Sequence, residues 1–364
     1  MGIAGHATTE GTARYAARHD TCGQGHFRKS KTLSWSSIGI GTYLGGGDDK
    51  TDALVADAVS ACLRGGINVI DSAANYRRER GEKSAGAALA KMFDSGDVQR
   101  DEVLVCTKGG YLPHGGDWFA KTYLKAGGNI SADDLVGGSH CMHPDYLESQ
   151  LEQSRANLSL DTIDVYYIHN PESQADKVDE DTFWARIEAA FGMLEGAVQA
   201  GKIRTYGIAS WNAFRADEGV TAHMSLVRAK ALAQKAAGAG RDHFQHVQMP
   251  FNLAMPQALR RPTQRVGEQP ATALRTATAM ALRVFASGSI RQDKIGRLAD
   301  YVIAALGSDL TSDAQRALQF TRSAPGVGTA LIGLKQPAHV EEALALCRQS
   351  PLPAADIMRL VSRY

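Results

Sequence analysis

Ile67-Asn68-Val69-Ile70-Asp71-Ser72-Ala73-Ala74-Asn75-Tyr76 is a short apolar run that stops at a carboxylate, with a phenol five residues further on. A run this short and rich in β-branched residues reads as a buried strand rather than a helix. Two later runs repeat the pattern: Val103 to Thr107 leads into Lys108, and Ile163 to Ile168 leads into His169. A carboxylate, a phenol, an ammonium and an imidazole therefore stand where successive strands stop. Parallel strands end on one rim, so the spacing predicts that the four groups converge there.

Outward from this stretch, the remaining strand-like runs are Ser37–Ile40, Thr205–Ala209, His246–Met249, Arg283–Ala286 and Thr329–Gly333. Segments of helical period lie between them, among them Ala53–Arg64, Glu82–Phe93, Pro144–Leu158 and Phe183–Ala200. Strands alternating with helices predict repeated βα units, and eight such strands close a barrel. The expected architecture is a single-domain (β/α)8 TIM barrel over 34–350. An N-terminal extension, 1–33, reads as a loose arm or a small cap over the barrel bottom. The tail, 351–364, is short, so a loop there could close a pocket only in part. Gly65-Gly66 and Gly201 fit helix ends that lead into the next strand. The segment 109–143, after the third strand, is too long for an ordinary connection and carries Tyr111, Trp118, Phe119 and Tyr123 among glycines. Those aromatics either line a pocket or pin the loop. Segment 254–271, with Arg260, Arg261, Pro262 and Arg265, also reads as a loop.

Composition excludes several classes. The 364 residues are 44% hydrophobic and 22% charged, as in ordinary globular proteins. Forty Lys and Arg against 39 Asp and Glu leave no basic field for nucleic acid or anionic lipid. No apolar stretch approaches the ~20 residues that span a bilayer, and Met1 to His6 lack the pattern of a signal peptide. The five cysteines are scattered and never form a C-x-x-C pair, which predicts reduced thiols and a cytoplasmic setting. Cys62, Cys106 and Cys347 sit among apolar neighbours and read as core residues.

The chemistry follows from the four groups. A free phenol, with a pKa near ~10, is a poor proton donor at neutral pH, and a nearby ammonium lowers that value. Lys108 is the candidate ammonium, Asp71 would hold it charged, and His169 could orient a carbonyl toward Tyr76. Such a set protonates an oxygen while hydride arrives at carbon. No side chain supplies hydride, so a cofactor is implied. A salt bridge between Asp71 and Lys108 alone would leave Tyr76 and His169 without a purpose.

Asp71, Tyr76, Lys108 and His169 resemble the catalytic tetrad of the aldo-keto reductase family. So do Gly-Ile-Gly-Thr at 39–42, Ile-Asp-Val-Tyr-Tyr-Ile-His-Asn-Pro at 163–171 and Gly-Ile-Ala-Ser-Trp-Asn at 207–212. The resemblance implies a barrel that binds NADP, with NAD possible, and that reduces a small carbonyl substrate. The absence of a G-x-G-x-x-G fingerprint agrees with a cofactor held outside a Rossmann domain. By resemblance, Gly41, Thr42 and Asp71 form the floor under the nicotinamide, and Ser210, Asn212 and Gln248 hold its carboxamide. Phe285 falls where the family places a stacking ring, and Ala286, Ser287, Gly288 and Ser289 form the turn toward the pyrophosphate. Lys335 and His339 could meet a 2′-phosphate, although the usual arginine is missing and Glu341 or Glu342 would disfavour one.

Other readings are open at this point. The stretch His140-Cys141-Met142-His143 reads as an ordinary loop rather than a metal site, because adjacent residues do not converge on one ion. Arg77, Arg78 and Arg80 either bind an anionic substrate or form a solvated helix start. A barrel that senses nucleotides for regulation, with a slow or vestigial tetrad, is the alternative to a working reductase. A metal-assisted hydrolase using Asp71 and His169 would need further ligands that the sequence does not offer.

Overall fold

The computed structural model describes residues 2–30, 32–125, 127–291 and 296–363. Eight parallel strands form a closed barrel: β1 (Ile38–Gly41), β2 (Val69–Asp71), β3 (Leu104–Gly109), β4 (Ile163–His169), β5 (Ile203–Ala209), β6 (Phe244–Pro250), β7 (Arg283–Ser287) and β8 (Val327–Gly333). Every strand predicted from the sequence is present, with ends that move by at most two residues. The helices that follow them are α1 (Asp49–Arg64), α2 (Arg80–Asp94), α3 (Pro144–Leu158), α4 (Glu180–Gln199), α5 (Leu226–Ala237), α6 (Ala273–Ala279), α7 (Asp313–Ser323) and α8 (Pro337–Cys347). Among the described residues no helix is long and apolar enough to cross a membrane.

Local chemistry starts the helices where they start. Asp48 caps α1 by accepting from Thr51 N, Asp179 caps α4 through Thr182 N, and Ser312 and Gln315 form a capping box at α7. The barrel interior is filled by Trp35, Val69, Leu104, Cys106, Val165, Tyr167, Phe285 and Leu331. A second, larger apolar layer joins the outer strand faces to the helices. Strand register sets the rim. Gly333 pairs with Gly41, Gly41 with Asp71, and Asp71 with Cys106, so β8, β1 and β2 end at one level and β3 runs three residues further, to Gly109.

The N-terminal extension is a fixed cap rather than a loose arm. Its helix, Thr9–Arg18, and its hairpin, Phe27–Lys29 with Ser34–Ser36, cover the barrel bottom. Tyr15 is sealed and donates to Leu63 O at 2.6 Å, and Arg14 and Arg18 both reach the buried Glu102 carboxylate at 2.9 Å. The tail differs from the expectation of a loop near the pocket. Ala354–Val361 is a helix whose Ile357, Leu360 and Val361 enter the outer core, packed on α7 and on the helix Asp300–Leu306. An apolar stripe at helical spacing drew it there.

The long segment after β3 also has its own structure. Trp118, Phe119 and Tyr123 lie on or beside a helix, Gly116–Tyr123, and pack with Ile130, Cys141 and Tyr146, so these three aromatics pin the loop. Segment 254–271 contains a short helix, Gln257–Arg260, and a hairpin, Gln264–Val266 with Gln269–Ala271. Arg261 pairs with Asp217 at 2.5 Å and Arg265 with Glu218 at 2.9 Å, which fastens it to the β5–α5 connection.

Candidate active site

The four predicted groups meet at the rim. Asp71 ends β2, Lys108 is the penultimate residue of β3, and His169 ends β4, with Tyr76 in the loop after β2. The Lys108 ammonium is sealed from solvent and its three N–H donors are all engaged: Asp71 Oδ2 at 2.6 Å, Ser72 O at 2.7 Å and Tyr76 Oη at 3.2 Å. An ammonium has no acceptor, so the phenol oxygen receives that hydrogen bond and keeps its own O–H for another partner. Asp71 is held from its other side by Gln248 Nε2, which donates to Oδ1 at 2.8 Å. The Tyr76 ring stands edge-on to the His169 ring at 5.8 Å and to Tyr43 at 5.0 Å.

Electrostatics refine one expectation. Burial pushes the Tyr76 phenol above its ordinary value, and the Lys108 charge offsets this only in part. Desolvation is the larger effect because the phenolate would have to form away from water. Burial also works against the charge on Lys108, but Asp71 and Tyr76 together reverse that, and the lysine holds its proton more tightly than usual. His169 is kept neutral by burial, with the charge on Lys108 acting in the same direction. A neutral imidazole keeps one N–H with which to hold a carbonyl oxygen.

The loop that carries Tyr76 is unusual. Arg77, Arg78 and Glu79 have φ values of 50°, 56° and 69°, three successive non-glycine residues in the left-handed region. Each costs on the order of 1 kcal/mol or more unless the surroundings enforce it. The Arg77 guanidinium does so, gripping Asp52 on α1, Ser84 Oγ at 3.0 Å, and the carbonyls of Thr42 and Arg80 at 3.3 Å. Arg80 pairs with Asp49 and Asp52. Arg77 and Arg80 are thus committed to holding the loop, and Arg78 is exposed.

A furrow opens from these groups across the rim. Its first part is lined by Gly41, Tyr43, Asp71, Tyr76, Trp211 and Gln248, with Ser287, Gly288 and Ser289 along one wall. A second part continues from Leu44, Ile290, Ile332 and Gly333, common to both, to Gln336, Lys335, His339 and Glu342. Gly41 has room for close approach, since a Cβ there would meet nothing nearer than 3.7 Å. Gly288, at φ +61°, has a backbone conformation that favours glycine, which keeps the wall small there. A reactive end, a narrow small-residue waist and a polar far end carrying Lys335 fit the shape of a nicotinamide dinucleotide.

Several expected contacts lie elsewhere. Thr42 is buried and shares a hydrogen bond with Ser72 Oγ at 2.8 Å, below the furrow floor. Ser210 donates to Glu172 Oε1 at 2.8 Å, and the backbone N–H groups of Trp211 and Asn212 donate to the same oxygen at 2.8 and 2.9 Å. A buried carboxylate needs such donors, and it has recruited them from the predicted carboxamide site. The exposed Asn212 accepts instead from Arg215 at 3.1 Å. Phe285 differs too. It is fully buried in the barrel interior, edge-on to His246 at 5.4 Å, and Ala286 is sealed beside it. The aromatic surface of the furrow belongs to Tyr43 and Trp211, 52% and 38% exposed. Their place two residues past a strand end, at Gly41 and Ala209, was the sequence signal for them. Glu172 and His140 carried no such signal, because their partners are distant in the chain.

The profile of the aldo/keto reductase family matches residues 37–229. The chain belongs to that family. Within it, the chain is 27% identical over 181 residues to a 6-dehydroglucose reductase of Novosphingobium aromaticivorans, covering 49% of each chain. It is 28% identical over 188 residues to an NADH-specific methylglyoxal reductase of Escherichia coli, covering 50% of each. The matched stretches thus span about half the length of these curated relatives. Among solved structures, an aldo-keto reductase of Klebsiella pneumoniae in complex with NADPH superposes with a TM-score of 0.63 at 18% identity, over 94% of this chain and 95% of that one. That likeness concerns the fold, a barrel that this aldo/keto reductase shares across nearly its whole length.

No group of three or more His, Cys, Asp or Glu side chains is placed to hold a metal among the described residues. In the His140–His143 stretch, burial and its surroundings push the Cys141 thiol up to about 12, and His140 is engaged in hydrogen bonds.

Proposed function

We propose that this aldo/keto reductase reduces an aldehyde or ketone to an alcohol with NADPH or NADH. The observation that carries the reading is the saturation of Lys108. Its three donors are spent, one of them on Tyr76 Oη, which leaves the phenol O–H as the free acid facing the furrow. Gly41, Asp71 and Gln248 would hold the nicotinamide end, Ser287 to Ser289 the pyrophosphate, and Lys335 and His339 the adenosine end. When bound, the reduced nicotinamide supplies hydride to the carbonyl carbon.

This chain's own residues do the rest. Neutral His169 donates a hydrogen bond to the carbonyl oxygen and fixes its direction. Tyr76 gives its proton to that oxygen as negative charge develops there. Lys108 stabilises the phenolate left behind, and Asp71 and Gln248 keep the lysine in place. Tyr43, Trp211 and Tyr111 flank the position of a small substrate. Glu342, in the far part of the furrow with Lys335 and His339, sets an anion against any 2′-phosphate, so NADH has a share in the reading beside NADPH.

The test is titration of purified protein with NADPH and NADH by tryptophan fluorescence, then turnover on an aldehyde panel that includes methylglyoxal and oxidised sugars. Tight binding, and turnover lowered by a factor of about 10² to 10⁴ in Tyr76→Phe, are expected. Binding without turnover across the panel would favour a regulatory, nucleotide-sensing barrel, and binding of neither cofactor would remove the hydride source.

A further inference from the structure

The main-chain carbonyl of His169 accepts a hydrogen bond at 2.7 Å from Nε2 of His140, a residue of the long loop after β3. A carbonyl only accepts, so Nε2 bears the proton and Nδ1 of the neutral ring is an acceptor. Gln174 Nε2 donates to that Nδ1 at 2.9 Å. The amide orientation of Gln174 is set in turn by Arg186, whose Nη1 donates to Oε1 at 2.9 Å. Arg186 reaches the loop again through Asp133 O at 2.9 Å. Each donor in this chain points the same way, toward the backbone of His169.

The chain is buried at its centre. His140 is 1% exposed and Gln174 is sealed. The Tyr111 ring stands edge-on to both imidazoles, at 4.8 Å from His140 and 5.2 Å from His169. The approach also constrains the sequence. A Cβ on Gly110 would lie 2.7 Å from His140 Nε2, and its φ of +126° suits glycine alone. The His169 ring, by contrast, has an Nδ1 that is sealed and without a hydrogen-bond partner among the described residues. Among the described residues no side-chain hydrogen bond holds the ring, so its direction depends on the packing of Tyr76 and Tyr111 and on the backbone that His140 grips.

We propose that His140 is a positioning residue for His169, and that Gln174 and Arg186 hold it in the donating tautomer. Through it the loop 109–143 sets the direction in which His169 presents its N–H to a carbonyl oxygen. The inference rests on the role proposed above for His169, and it explains why a loop far along the chain is folded against the rim. Burial lowers His140 to about 4, so the ring stays neutral and the donor chain stays intact at neutral pH.

The test compares His140→Phe, which keeps a ring but removes the donor, with His140→Gln, which keeps an N–H at the same reach. Two readouts are taken. The imidazole Cε1–H NMR signal of His169, assigned by its loss in His169→Asn, should be displaced in His140→Phe and return to its wild-type position in His140→Gln. On the best aldehyde of the panel, His140→Phe should lower kcat between about tenfold and a hundredfold, as small misplacements of a catalytic group do. The KM for the cofactor should not change, and in the His169→Asn background His140→Phe should lower kcat no further. An unmoved His169 signal in His140→Phe overturns the proposal, as does an undiminished loss of kcat in the His169→Asn background. If Phe at 140 prevents folding, Gln174→Leu is read instead: a displaced signal supports the proposal and a wild-type signal overturns it. Absence of turnover by the wild-type protein would count against the reductase reading and leave the NMR comparison standing.

Discussion

Two buried ion pairs sit at opposite ends of the barrel and use the same chemistry for different ends. At the bottom, Arg100 meets Asp164 at 2.8 Å, and the carboxylate also accepts from Ala7 N at 2.7 Å and Val105 N at 2.8 Å. That pair ties the N-terminal cap to β3 and β4. At the top, Lys108 meets Asp71 at 2.6 Å, but the ammonium's third donor goes to a phenol that faces an open furrow. The bottom pair is closed on itself, and the top pair is open on one side. Burial makes both expensive, so each is kept for what it holds: a cap in one case, a phenol at the furrow in the other.

The sharpest way to separate the two is to remove one partner from each. Tyr76→Phe should cost a factor of about 10² to 10⁴ in kcat, with cofactor affinity and melting temperature close to wild type. If the variant keeps wild-type turnover, the top pair is only structural. Arg100→Met should do the reverse. Leaving Asp164 buried and unpaired should cost about 3–5 kcal/mol of stability, read by urea unfolding, while kcat of the folded protein is unchanged. A large fall in kcat at full occupancy of the folded state would erase the contrast between the ends.

Acid titration extends the comparison to two histidines. His26, under the barrel, and His140, at the rim, are both lowered to about 4, chiefly by burial. A histidine whose folded value lies below its unfolded value, near ~6.5, binds protons more readily once unfolded. Its stabilising contribution is therefore complete above about 6.5 and is lost as pH falls through that value toward the folded one. Melting temperature should drop across this window, and both His26→Gln and His140→Gln should flatten the drop. Only His140→Phe should also lower kcat, and the pH series reads both. The smallest effect is expected at the far end of the furrow. Lys335→Ala should weaken NADPH by roughly tenfold and NADH hardly at all, by fluorescence titration; equal losses for both would place the 2′-phosphate elsewhere.

Much of the fold was legible because its signals are local. The β-branched runs, the caps and the helical stripes each act over a few residues, and closure of eight parallel strands follows from their count. The tetrad was legible for the same reason: a strand end is visible in sequence, and parallel strands bring their ends together. What escaped were groups defined by partners far along the chain. The Ser210 hydroxyl and the Asn212 main-chain N–H donate to the buried Glu172 carboxylate, 38 and 40 residues away, a contact that no local pattern announces. Phe285 read as a stacking ring, but the shape of the barrel interior, not the strand pattern, decided its depth.

By itself the sequence determined the alternation of strand and helix, the order of Asp71, Tyr76, Lys108 and His169 around the rim, and the near-neutral net charge. Period, cap and strand end are properties of neighbouring residues, and they survive without knowledge of the rest. Only the tertiary structure decided that Lys108 has no donor to spare, that burial outweighs its charge at the phenol, and that His140 reaches the back of His169. Each of these depends on how many groups crowd a given atom and how much water is excluded from it. Those are sums over the whole fold, and no window of sequence contains them.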